Sequence, residues 1–159
     1  MEHIVGIGDM KVCNQVGDTI VAPSIGSGIG LVVYDPEARV GGILHYILTD
    51  SSIDEIKAKN QPLMFADTGI PTLFKQAYLL GAEKTRFRVF VAGGAQIINQ
   101  ERKFNIGQRN YTALTQILTR ENVAIWKQAV GGNFNRTARI DINTGHISLK
   151  TSGQGEVKL

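Results

Sequence analysis

The sequence predicts one α/β domain: a layered sandwich of mixed and antiparallel β-sheet carrying two main helices. Three observations support this. Short runs of branched apolar residues fill the first half, two later segments repeat apolar residues at helical spacing, and glycine pairs follow two of the runs. With 159 residues, 43% hydrophobic and 19% charged, the chain has the size of one domain and enough apolar side chains to fill its core.

The strand-like runs cover residues 4–7, 20–22, 29–34 and 40–48. Asp35-Pro36-Glu37-Ala38 joins the last two as a hairpin turn, because proline presets its own φ and aspartate accepts from nearby amides; this places His45 on a strand. The polar stretch 51–61 reads as a surface loop. Asp67 reads as a helix cap, with Pro71 in the first turn and Ile70, Leu73, Phe74 and Ala77 on one face until Gly81 stops the helix. Residues 85–92 form a strand candidate running into Gly93-Gly94. A second helix over 110–120 presents Leu114, Ile117 and Leu118 on one face. Residues 123–130, with Trp126 as apolar packing, form a strand ahead of Gly131-Gly132. Ala138, Ile140 and Ile142 alternate with Thr137, Arg139 and Asp141 before the turn Asn143-Thr144-Gly145, the pattern of a final hairpin. The domain is expected over 1–150, with 151–159 as a flexible tail, giving about eight strands in all.

Composition narrows the function classes. A formal charge of +3 comes from 17 basic and 14 acidic residues. They are scattered, with Glu101-Arg102-Lys103 the densest cluster, and make no nucleic-acid footprint. Cys13 is the only cysteine, so an internal disulfide is excluded and a reducing compartment fits. No segment has the roughly 18 apolar residues of a membrane span, and residues 1–8 lack a signal-peptide pattern. A cytoplasmic protein without membrane insertion is expected. His3 and His146 lie far in sequence from cysteine or acidic pairs, so no metal pattern is read and no metal or organic cofactor is expected.

Several segments stand in a recognisable order. Gly6-Ile7-Gly8-Asp9-Met10-Lys11-Val12 comes first, then Ile25-Gly26-Ser27, Leu31-Val32-Val33-Tyr34-Asp35-Pro36 and Val40-Gly41-Gly42-Ile43-Leu44-His45. Phe65-Ala66-Asp67-Thr68, Gly93-Gly94-Ala95 and Asn105-Ile106-Gly107-Gln108-Arg109-Asn110 follow. Val130-Gly131-Gly132-Asn133, Arg136-Thr137 and Thr144-Gly145 complete the series. In this order the segments resemble the CheD family of chemoreceptor glutamine deamidases across nearly the whole chain. The resemblance implies hydrolysis of glutamine side-chain amides on the cytoplasmic helices of methyl-accepting chemoreceptors, and partnership with CheC-type phosphatases. It also implies a nucleophilic cysteine, a histidine base and a threonine that orients the histidine.

Carried onto this chain, the base position is His45, the nucleophile position is Gly28 and the threonine position is Ala22. Glycine offers no thiolate. The reading is therefore a catalytically impaired binding or regulatory member; the alternative is a working deamidase with another nucleophile or a His45-activated water. Ser27 is the substitute to consider, although in an extended segment its side chain points opposite to that of residue 28. Ser24 lies further off, and Cys13 occupies a position where the family needs no thiol. Taken alone, His45 suits a core histidine as well as a base. The glycine pairs suit tight turns or an anion nest. Asp67, Arg109, Asn110, Asn133 and Arg136 read as caps and loop locks, with Asn133 and Arg136 also candidate substrate contacts at the pocket rim. A third reading is recruitment of the scaffold to an unrelated task.

Overall fold

The computed structural model describes residues 1–96 and 105–159; the Glu101-Arg102-Lys103 cluster lies outside them. In chain order the elements are β1 (Glu2–Ile4), β2 (Asp9–Cys13), β3 (Thr19–Ile25), β4 (Ile29–Asp35), β5 (Val40–Tyr46), α1 (Glu55–Asn60) and α2 (Ala66–Leu79). Then come β6 (Arg88–Gly93), α3 (Ile106–Arg120), β7 (Lys127–Val130), β8 (Arg136–Asp141), β9 (Ile147–Thr151) and β10 (Glu156–Lys158). One sheet has the order β1-β3-β8-β9-β10 and the other β2-β5-β4-β6-β7. Each is antiparallel except for one parallel pair at an edge, β1 with β3 and β6 with β7. This is the expected α/β sandwich, with more strands than the apolar runs alone indicate.

The layers follow from the side-chain alternation of strands. Val32, Tyr34, Ile43, Phe90 and Ala92 of the second sheet pack with Ala22, Ile25, Ala138 and Ile140 of the first, forming a core between the sheets. Leu31, Val33, Leu44, Tyr46, Val89 and Val91 point the other way, onto Ile70, Leu73 and Phe74 of α2 and Leu114, Ile117 and Leu118 of α3. β4 and β5 are buried on both faces, which is why their sequences read as continuous apolar runs rather than alternating ones. Tyr34 ties the layers together by donating its hydroxyl to the Ile142 carbonyl at 2.9 Å.

The hairpin turn at Asp35 forms as expected. The Asp35 carboxylate accepts from the Glu37 and Ala38 amides at 2.9 and 3.1 Å, and from the Glu83 amide and Arg86 guanidinium beyond α2. Burial alone would raise this carboxyl, but Arg86 and the three amides together hold it below its usual range.

Several local expectations are corrected. Residues 51–61 are not a loop: a 3-10 turn at Ser51–Ile53 and helix α1 form there. The side chains of Asp50 and Asp54 accept the amides of Ser52 and Lys57 and so cap the two turns. α2 begins before Asp67, which lies in its first turn and accepts from the amide and hydroxyl of Ser51 at 2.9 and 2.7 Å. Pro71 therefore sits inside the helix. Its cost of about 3 kcal/mol is outweighed by the burial of Ile70, Leu73 and Phe74, each worth about 1.5–3 kcal/mol. Gly81 closes α2 at φ +101, its amide reaching the Tyr78 carbonyl while that of Ala82 reaches Ala77, a Schellman arrangement. The strand expected over 123–130 starts only at Lys127. Trp126 is 40% exposed beneath the cations of Arg88 and Lys127, not packed in the core. In the segment expected to be a flexible tail, Glu156–Lys158 instead pairs antiparallel with β9.

Candidate functional site

His45 lies at the end of β5, paired with Asp9 on β2 and Gly30 on β4. It shares the odd-numbered face of β5 with Ile43, so its ring enters the core between the sheets, where it is 1% exposed. Its Nδ1 is the one buried side-chain nitrogen or oxygen among the described residues that lacks a hydrogen-bond partner. Burial pushes its pKa down from 6.5 to about 4, so the ring is neutral at pH 7. Ala22, fully buried in the same layer and paired with Ala138, contributes only a methyl group.

Gly28 occupies the turn between β3 and β4. A carbon built onto it as Cβ would stand 3.4 Å from His45 Nε2, 2.6 Å from the Tyr46 carbonyl oxygen and 2.8 Å from Ile47 Cγ2. The structure thus brings positions 28 and 45 together, yet even the first atom of a side chain does not fit unless the Tyr46–Ile47 backbone moves. Three further bonds fasten this turn. The Gly28 carbonyl accepts from the Gly94 amide at 2.9 Å, the Gly26 carbonyl accepts from Ala95 at 3.1 Å, and Asn110 Nδ2 donates to the Ser27 carbonyl at 3.0 Å. Gly93, at φ +123, lies so close that a Cβ there would collide with the Gly28 carbonyl.

The other expected residues are placed unevenly. Ser27 adjoins Gly28 and is half-buried, but residues 27 and 28 bend rather than run extended, so the opposite-face argument does not govern its hydroxyl. Ser24 is exposed, at φ 56 in a bulge where the β3–β8 register shifts. Arg136 is 7% exposed and donates from Nη1 to the Gly93 carbonyl at 3.2 Å. Its burial lowers its pKa. Asn133 is exposed on the loop before β8. The glycine pairs act as turns: the Gly94 amide is taken by Gly28 and that of Gly131 by the Gly93 carbonyl at 2.9 Å, leaving these two amides no place in an anion nest.

Cys13 is far from this site. It pairs with Gly41, four residues along β5 from His45, about 13 Å at the rise of a strand. Burial raises its thiol pKa, and Sγ donates to Asp18 Oδ2 at 3.4 Å. Asp18 also meets His3 Nε2 at 2.8 Å. The three side chains form a cluster that the wide sequence spacing of His3 did not suggest. A groove of about 680 Å³ runs between Thr49, Asp50, Asp67 and the Arg109–Arg120 face of α3; neither His45 nor Gly28 lines it. Among the described residues no helix is long and apolar enough to cross a membrane.

Fold and site define a three-layer α/β domain whose inner sheet buries one neutral histidine against a glycine turn. A sequence model described as "CheD chemotactic sensory transduction" matches residues 47–151. "Probable chemoreceptor glutamine deamidase CheD 1" of Syntrophus aciditrophicus (strain SB) is 49% identical over 150 residues, covering 94% of each chain. "Probable chemoreceptor glutamine deamidase CheD" of Solibacter usitatus (strain Ellin6076) is 42% identical over 95% of this chain and 89% of its own. "Probable chemoreceptor glutamine deamidase CheD 2" of Anaeromyxobacter dehalogenans (strain 2CP-C) is 39% identical over 94% of each. The chain belongs to the CheD family.

Proposed function

We propose that this CheD-family chain serves chemotaxis as a cytoplasmic docking protein for the signalling helices of chemoreceptors, with thiol-dependent glutamine deamidation lost. The single observation that carries the reading is the placement of Gly28 beside His45. Gly28 puts no side-chain atom before Nε2, and the Tyr46 carbonyl and Ile47 side chain already crowd the place, 3.4 Å from that nitrogen, where a nucleophile's first carbon would stand. The chain's one thiol is hydrogen-bonded to Asp18 instead. Two further features support it. The Nδ1 of His45 has no partner, and Ala22, at the position the family resemblance gives to the orienting threonine, has no hydroxyl to offer one. A histidine with a pKa of about 4 is also a weak acceptor of protons at neutral pH. Receptor docking is supported by the relatives, each named as a chemoreceptor glutamine deamidase. A CheC-type phosphatase is the second partner in this reading, and Asn133 and Arg136 are the candidate contacts to the receptor substrate.

The test is calorimetric titration of the purified chain with a receptor cytoplasmic fragment and, separately, with a CheC-type phosphatase. Saturable binding of the receptor fragment is expected. Binding of neither protein contradicts the docking role, and binding of the phosphatase alone restricts it to that partner.

A further inference from the structure

We propose that His3, Cys13 and Asp18 form a binding site for a thiophilic divalent transition ion, zinc being the best fit. The three donor atoms lie within 4.8 Å of one another, with His3 Nε2 2.8 Å and Cys13 Sγ 3.4 Å from Asp18 Oδ2. In a tetrahedral zinc site, bonds of about 2.0–2.3 Å place neighbouring ligand atoms about 3.3–3.7 Å apart. The present triangle is within small side-chain rotations of that geometry. Imidazole nitrogen, thiol sulfur and carboxylate oxygen are the donors zinc takes, and sulfur disfavours magnesium and calcium.

The backbone places these donors in advance. β1 runs parallel to β3, with His3 opposite Ile20, and Asp18 directly precedes β3. Cys13 ends β2, and the turn that follows is closed by the Gln15 amide on Cys13 Sγ at 3.3 Å and the Asp18 amide on the Gln15 carbonyl at 3.1 Å. The other oxygen of Asp18 meets the Met1 amine at 3.0 Å. Cys13 is 5% exposed, whereas His3 and Asp18 keep 20% and 17% of their side-chain surface open. An ion enters from their side, and a water completes its coordination. Binding releases to solvent the thiol proton now donated to Asp18, and the proton that His3 Nε2 now presents to Asp18 moves to Nδ1 so that Nε2 can ligate. The cluster lies at the far end of β2 from Asp9, the partner of His45, so this site does not depend on deamidation or receptor docking.

The experiment titrates the metal-stripped full chain with Co(II), whose thiolate bond gives a charge-transfer absorption in the near ultraviolet. The expected result is a band saturating at about one equivalent, as a single site requires, and erased by excess Zn(II). Cys13→Ser removes the band, while His3→Gln and Asp18→Asn each weaken Co(II) binding by about tenfold or more with unchanged circular dichroism. The proposal is overturned by the absence of a saturable thiolate band in the unmodified chain, a result that needs no variant to fold. It is equally overturned by a band of full affinity in both His3→Gln and Asp18→Asn.

Discussion

His45 is a buried titratable side chain whose Nδ1 has no partner among the described residues, and this environment has a measurable consequence. Folding moves its pKa from 6.5 to about 4 because the ring leaves water without gaining a partner for Nδ1. A histidine lowered in this way makes the unfolded chain bind the extra proton, so stability rises with pH across the interval between the two values. Acidification from pH 6.5 to 4 should therefore cost this chain about 3 kcal/mol through His45 alone. The carboxylates act later: Asp18, held at about 2 chiefly by its bond to His3, gives up its contribution only below about pH 4. Urea unfolding at a series of pH values checks this, with the His45 ring followed by NMR. The slope above pH 4 should flatten in His45→Leu, and a ring titrating near 6.5 in the folded chain contradicts the assignment.

α3 sets the geometry of the site through one side chain. Asn110 Nδ2 donates to the carbonyls of Ser27 and Ile47, both at 3.0 Å, and its own carbonyl accepts the buried Tyr46 hydroxyl at 2.7 Å. The helix thereby clamps the Gly28 turn to the end of β5. Gly107 permits the approach, since a Cβ there would collide with the Gly94 and Ala95 carbonyls. Asn110→Ala removes a donor from two part-buried carbonyls and should destabilise the chain by about 1–2 kcal/mol. It should also raise backbone amide exchange at Gly94 and Ala95; an unchanged unfolding midpoint would remove the clamp from the account. At this scale the sequence was legible where one physical signal acted alone. The Asp35 turn, the apolar face of α2 and the alternating β8 each declared themselves. α1 did not, because six residues with only Ala58 buried show no apolar stripe. β10 did not either, because its residues are exposed and it is held by backbone pairing rather than by burial.

The whole molecule is two mixed sheets and a helical layer, and this arrangement turns a sequence position into a site. The Asp35 hairpin made His45 recognisable as a strand residue, and the family resemblance pointed to residue 28. That the two face each other, and that the Tyr46–Ile47 backbone closes the space between them, emerges only from the stacking of β5 against the β3–β4 turn. The His3, Cys13 and Asp18 cluster was beyond sequence reading because it depends on the parallel pairing of β1 with β3, a non-local contact with no periodic trace. The chain shares its family with relatives named as probable chemoreceptor glutamine deamidases, and loss of that reaction is what we propose for it. Incubation with a glutamine-bearing receptor cytoplasmic fragment, followed by peptide mass spectrometry, measures it directly. Every glutamine should retain its amide at the level of a protein-free control; site-specific conversion to glutamate by the unmodified chain would contradict the account.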